Sequence, residues 1–217
     1  LPRRPRNGLN LLFHGLPGTG KTELARYLSH CLNRDLIIKR GSDLLGMYVG
    51  STEQSIAAAF KQAQKTEAIL LIDEADTFFR SRADARQAYE ISHTNEFLNQ
   101  LENHQGIVIC CTNMVDTLDA AAMRRFALKI EFKPIPRENL PKVFLQIFSG
   151  ILTQEPPRTE LQSAMRDLDG LTPGDFALVL RGEQLHNGSR TWQELVAKLE
   201  CEIKHKHRQA PEPIGFR

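Results

Sequence analysis

The chain lacks what would send it to a membrane, an oxidising compartment or a nucleic acid. No apolar run approaches the roughly 20 residues needed to span a bilayer, and no signal-peptide pattern is visible. Cysteine is scarce. Cys31, Cys110, Cys111 and Cys201 show no C-x-x-C spacing, and the adjacent pair in an apolar run suits buried reduced thiols rather than a disulfide framework. A reducing, cytoplasmic setting is the expectation. No Cys or carboxylate stands at metal-ligand spacing around His14 or the His205 and His207 pair. The formal net charge of +2 argues against a general affinity for nucleic acid, and the basic stretches Arg3 to Arg6 and Lys204 to Arg208 read as solvated tails. There is no internal repeat and no low-complexity segment. Because the first residue is Leu1 rather than Met, the expected context is a longer protein with targeting or partner-binding segments upstream.

What is present begins at Gly15. Residues Gly15, Leu16, Pro17, Gly18, Thr19, Gly20, Lys21 and Thr22 fit G-x-x-x-x-G-K-S/T, between an apolar run and a helical pattern. Glycines at 15, 18 and 20 can take backbone angles closed to other residues, so successive N–H groups turn inward toward phosphate oxygens. Lys21 would reach the β- and γ-phosphates of a nucleotide, and Thr22 would ligate Mg²⁺.

The rest of the first two thirds alternates strand and helix. Expected strands are Leu9 to His14, Asp35 to Lys39, Ala68 to Asp73, Ile107 to Cys111 and Ala127 to Phe132. The helix after the loop should turn Leu24, Tyr27, Leu28, Cys31 and Leu32 inward. A loop from Gly41 to Gly50 precedes a helix that Ser51 and Gln54 would open as a capping box, with Ile56, Ala59, Phe60 and Ala63 on its apolar face. A later helix carries Ile91, Phe97, Leu98 and Leu101. Such alternation predicts a parallel five-stranded sheet between helices. Beyond Pro134 and Pro136 the pattern is helical only, with Thr159 and Gln162, Thr172 and Asp175, and Thr191 and Glu194 as helix starts. The expected division is a core over 1–135, an all-α lid over 136–208 and a loose tail over 209–217.

Asp73 and Glu74 end an apolar strand. A carboxylate there can hold the hydration shell of Mg²⁺, and its neighbour can polarise a water aimed at the γ-phosphorus, which favours hydrolysis over phosphorylation of a bound hydroxyl. Asp73, Glu74, Ala75 and Asp76 also spell a helicase signature, but such helicases pair two similar parallel cores and this chain has one core with a helical appendage.

Together these motifs resemble the AAA branch of the AAA+ ATPases, from about Leu9 to Leu199. The resemblance implies ATP and Mg²⁺ bound between core and lid, and a homo-oligomeric ring, a hexamer, that remodels a protein substrate. It casts Gly15 to Thr22 as Walker A, with Leu16 where Pro is usual. Asp73 and Glu74 are then the metal and water residues of Walker B, and Asn113 is sensor 1. Arg124 and Arg125, in LDAAAMRRF, match arginine fingers that enter a neighbouring subunit's site. Met47, Tyr48, Val49 and Gly50 resemble a pore loop that grips polypeptide, with Arg80, Arg82 and Arg86 where a second pore loop would lie. Gly174, in the sensor 2 position, would let a helix start approach the nucleotide. The adenine-holding motif usual upstream of Walker A is absent from this chain. A module acting on nucleic acid and a nucleotide-gated scaffold with little turnover are the competing readings; the aromatic pore loop weighs against the first, and intact Glu74, Asn113 and paired arginines against the second.

Overall fold

The computed structural model describes residues 8–48, 50–79, 88–114, 120–184 and 190–209. They form two compact units, Leu1–Phe132 and Lys133–Arg217. The first runs β1 (Leu9–Gly15), α1 (Lys21–Cys31), β2 (Leu36–Arg40), α2 (Gly41–Leu44), α3 (Ser51–Thr66), β3 (Ile69–Asp73), α4 (Asp76–Phe79), α5 (Ala88–Asn103), β4 (Ile107–Thr112), α6 (Ala120–Met123) and β5 (Leu128–Phe132). All strand pairs are parallel, in the order β2-β3-β4-β1-β5. The fold is therefore the expected α/β phosphate-loop core.

Side chains alternate across the sheet, so β1 to β4 each feed two cores, while β5 gives only Phe132 to one of them. Leu12, Leu70, Ile72, Val108 and Cys110 pack with Ile56 and Phe60 of α3 and Phe97, Leu98 and Leu101 of α5. Leu11, Phe13, Ile69, Leu71, Ile109 and Cys111 pack on the other face with Ala25 of α1. Burial on both faces explains why the central strands β3 and β4 read as continuous apolar runs, whereas β5, at the edge, is largely exposed.

Within the first unit the local expectations need four corrections. The stretch after β2 is not all loop, because α2 forms there, with Arg40 N–H donating to Asp43 Oδ2 at 2.9 Å. Ser51 does not cap α3. Gly50 occupies that position in the left-handed region, and the Ser51 hydroxyl donates to Tyr48 O at 2.6 Å instead. On α1, Leu24 and Leu28 pack on this core beside buried Ala25, as expected, while Tyr27, Cys31 and Leu32 are exposed. Ile91 on α5 is likewise exposed.

The second unit runs through a 3₁₀ turn (Arg137–Asn139), α7 (Leu140–Phe148), α8 (Arg158–Met165), α9 (Pro173–Gln184) and α10 (Trp192–Gln209). Leu140, Phe144, Phe148, Leu161, Met165, Phe176, Leu195 and Leu199 share its core. Helix α8 starts after Pro157, earlier than a Thr159 cap would allow. The other starts follow the sequence: Thr172 N–H donates to Asp175 Oδ2 at 2.7 Å, and Thr191 N–H to Glu194 Oε2 at 3.1 Å. Periodicity did not reveal Glu183, buried on α9 and paired with Arg190 and Lys198, whose hydrogen bonds hold its carboxyl below the usual carboxylate range. Helix α10 includes Gln209, and the rest of the expected tail lies outside the described residues.

Candidate phosphate-binding site

The loop between β1 and α1 is shaped by its glycines at two points. Gly15 has φ 132°, and a Cβ there would stand 2.1 Å from Phe132 O of the adjacent strand. Gly20, with φ 96°, turns the chain into α1. Thr19 Oγ1 closes the bend by donating to Leu16 O at 2.7 Å, while Pro17 and Gly18 are exposed on its crest.

Lys21 opens α1 and is buried. Its ammonium donates to Gly15 O at 2.8 Å, Leu16 O at 2.9 Å and Asn113 Oδ1 at 2.7 Å. Those bonds use all three ammonium hydrogens. Desolvation lowers the Lys21 pKa, against the opposing influence of Cys111 and Asp73. The next residue, Thr22, donates from Oγ1 to Asp73 Oδ2 at 3.3 Å.

Because β1, β3 and β4 are parallel, their carboxyl ends lie on one edge, where the loop, Asp73, Glu74 and Asn113 converge. Asp73 Oδ1 accepts from Glu74 N–H at 3.0 Å. Glu74 is exposed and has φ 55°, a left-handed conformation that costs a non-glycine residue about 1–3 kcal/mol and persists where neighbours over-determine it. Cys111 sits under this edge, its thiol pushed up to about 12 by burial first and by the Asp73 charge second. It stays a neutral packing group.

The two arginines stand elsewhere. Asn10, near the start of β1, donates from Nδ2 to Leu101 O at 2.9 Å and to Arg125 O at 3.2 Å. Arg125 Nε lies 2.7 Å from Glu102 Oε1, and Arg124 is exposed on the same turn. This turn leads into β5, whose Leu128 pairs with Leu11 and whose Phe132 pairs with Gly15. The arginines therefore lie at the amino-terminal edge, about five residues of strand or roughly 16 Å from their own phosphate loop. Sequence reasoning missed both anchors, Asn10 and Glu102. A polar residue inside an apolar strand was the available signal for Asn10.

Tyr48 is 81 % exposed and Met47 96 %. Ser51 holds the Tyr48 backbone from both sides, and Gly46 N–H donates to Thr52 Oγ1 at 2.9 Å, so the base of this loop is tied down while its aromatic tip is in solvent. Val49, Arg80, Arg82 and Arg86 lie outside the described residues. Gly174 is in the first turn of α9, in the second unit. A cleft of about 520 Å³ between α3 and α5, lined by Lys61, Lys65, Asn103 and His104, lies at the amino-terminal edge. No helix among the described residues is long and apolar enough to cross a membrane.

A family model for the ATPase family associated with various cellular activities (AAA) matches residues 11–134, more than half of the chain. Among curated relatives, a 26S proteasome regulatory subunit 8 homolog from Encephalitozoon cuniculi is 38 % identical over 149 residues, covering 64 % of this chain and 38 % of that protein. The 26S proteasome regulatory subunit 6A of Saccharomyces cerevisiae is 36 % identical over 154 residues, 66 % of this chain and 35 % of that protein. A putative 26S proteasome regulatory subunit homolog from Methanocaldococcus jannaschii is 28 % identical over 216 residues, 94 % of this chain and 58 % of its own length. The chain thus spans less than two thirds of the length of each of these relatives. With the phosphate loop on a parallel sheet and the family match running through both arginines, the chain belongs to the AAA family of nucleotide-binding ATPases.

Proposed function

We propose that this chain is the motor module of a ring-forming AAA machine, a homo-oligomer of hexamer type, that hydrolyses ATP to pull on a protein substrate. The observation that carries the reading is convergence. Lys21 meets Asn113 at 2.7 Å and Thr22 meets Asp73 at 3.3 Å, so residues distant in sequence share one strand edge with Glu74. The likeness to proteasome regulatory subunits supports polypeptide as the class of substrate.

In the proposed mechanism, the loop amides and Lys21 bind the phosphates. Since the Lys21 ammonium has no spare hydrogen, a phosphate oxygen takes over one of its three partners, and Asn113 is the side chain able to withdraw. Released from Lys21, the Asn113 amide turns to the attacking water. Glu74 accepts the proton of that water as its oxygen bonds to the γ-phosphorus, while the bond to the bridging oxygen breaks and ADP leaves. The Thr22 hydroxyl and the Asp73 carboxylate fit the oxygen chemistry of Mg²⁺, which supplies charge neutralisation at the phosphate oxygens when bound. Arg124 serves the site of a neighbouring copy as it stands, and Arg125 joins it after leaving Glu102. Exposed Tyr48 contacts the moving polypeptide.

The test is turnover of the assembled protein. Glu74→Gln should keep ATP binding and lose about a hundredfold or more in rate. The parent should be stimulated by an unfolded polypeptide and not by DNA. A Glu74→Gln protein that hydrolyses ATP like the parent would overturn the base, and stimulation by DNA alone would overturn the substrate class.

A further inference from the structure

Thr112 is the last residue of β4 and is buried. Its hydroxyl donates to Asp76 Oδ1 at 2.9 Å and accepts from Met114 N–H at 3.0 Å, spanning Asn113. Asp76 opens α4, two residues after Glu74. One hydroxyl thus links the turn that carries Asn113 to the turn that carries Glu74.

The backbone beside it shows why a tether is needed. The β3–β4 register ends at Ile72 and Cys110, and if continued it would send the N–H of residue 74 toward Cys111 O. Ala75 N–H donates to Cys111 O instead, at 2.9 Å. The chain therefore turns at Glu74 before this bond is made, through its left-handed φ of 55°. A left-handed glutamate has no intrinsic preference for that conformation. Its own backbone is held by Asp73 Oδ1 on the N–H and by Thr77 N–H, which donates to Glu74 O at 3.3 Å. Ala75 after it bonds Cys111 O, and Asp76 takes the Thr112 hydroxyl, a side-chain link from this turn to the one that carries Asn113.

We propose that Thr112 and Asp76 are positioning residues, whose hydrogen bond sets the spacing between Glu74 and Asn113 and so the place of the attacking water. The inference rests on the roles given above to Glu74 and Asn113. Neither Thr112 nor Asp76 touches the nucleotide in this account. Both act through the groups that do.

The experiment compares Thr112→Val, Thr112→Ser and Asp76→Asn in the assembled protein, with Glu74→Gln and Asn113→Ala as references. Thr112→Val should lower kcat by about 10- to 100-fold, the range for loss of a residue that orients a catalytic group. ATP affinity and the thermal midpoint should hold, and Thr112→Ser should restore the rate. In the Asn113→Ala background Thr112→Val should cost little more, since both remove one arrangement. If Thr112→Val stays within about twofold of the parent while Glu74→Gln is inactive, the tether is wrong and the site stands. Parallel loss of rate, ATP affinity and thermal midpoint without rescue by Ser also overturns it, leaving a packing role. A fully active Glu74→Gln overturns the underlying reading and the tether together.

Discussion

The two edges of one sheet carry opposite kinds of chemistry. At the carboxyl edge Lys21, Thr22, Asp73 and Asn113 contact one another across long sequence separations, and Glu74 is held in a left-handed turn. At the amino edge the cleft between α3 and α5 contains Lys61, Lys65 and His104 without such convergence, and Arg125 is paired with Glu102. In a parallel sheet the helices that follow each strand present their amino ends at the carboxyl edge, where unpaired N–H groups and the helix dipole favour anions. The arginines at the opposite edge cannot serve their own loop, so in the proposed machine they complete the carboxyl edge of another copy.

The largest expected effect tests that division between copies. Arg124→Ala should leave ATP binding intact and lower turnover of the assembled protein by about a thousandfold. Mixing Arg124→Ala chains with Glu74→Gln chains should restore part of the rate, because some sites then combine an intact Glu74 with an intact Arg124. No recovery on mixing would break the comparison. Arg125→Ala should also cost at most about 1 kcal/mol of stability, since its pair with Glu102 is partly exposed.

A smaller and more selective effect is expected at Tyr48. Tyr48→Ala should remove the stimulation by unfolded polypeptide while basal hydrolysis stays within about twofold of the parent. The side chain is 81 % exposed, so stability should change by less than about 0.5 kcal/mol. Retained stimulation would detach Tyr48 from the substrate.

The smallest effect belongs to the amino edge. His104 is buried against Phe60, its ring nitrogens have no hydrogen-bond partner among the described residues, and desolvation lowers its pKa from 6.5. The unfolded chain takes up that proton near pH 6.5 while the folded chain resists it, so stability is full above this pH and declines as pH falls toward the lowered folded value. The slope for one proton is at most about 1.4 kcal/mol per pH unit. Unfolding midpoints measured from pH 7 downward should show a flatter slope for His104→Phe than for the parent; equal slopes would assign the acid sensitivity to other groups.

Much of this was legible in the chain because the signals are local. Gly15, Gly20, Lys21 and Thr22 must stand in series for a phosphate loop, and strands buried on both faces must be apolar throughout. The helix starts at Thr172 and Thr191 were readable for the same reason, since cap and partner are three residues apart. Where the reading erred, tertiary packing overrode a local pattern. Of the apolar positions expected inward on α1, Leu24 and Leu28 do pack beside Ala25, yet Tyr27, Cys31 and Leu32 are left in solvent. Ser51 fits a cap, yet Gly50 makes the turn and leaves its hydroxyl to Tyr48.

By itself the sequence determined that the chain has a phosphate loop, that its strands are parallel with the one before Asp73 covered on both faces, and that acidic residues end that strand. Those properties follow from backbone angles, side-chain period and the solubility of each face. Only the tertiary structure decided that Asn113 holds Lys21, that Thr112 holds Asp76 across the Glu74 turn, and that the arginines stand at the far edge beside Glu102. The strand order β2-β3-β4-β1-β5 makes those meetings, and that order is set by how crossovers pack, which no local window contains.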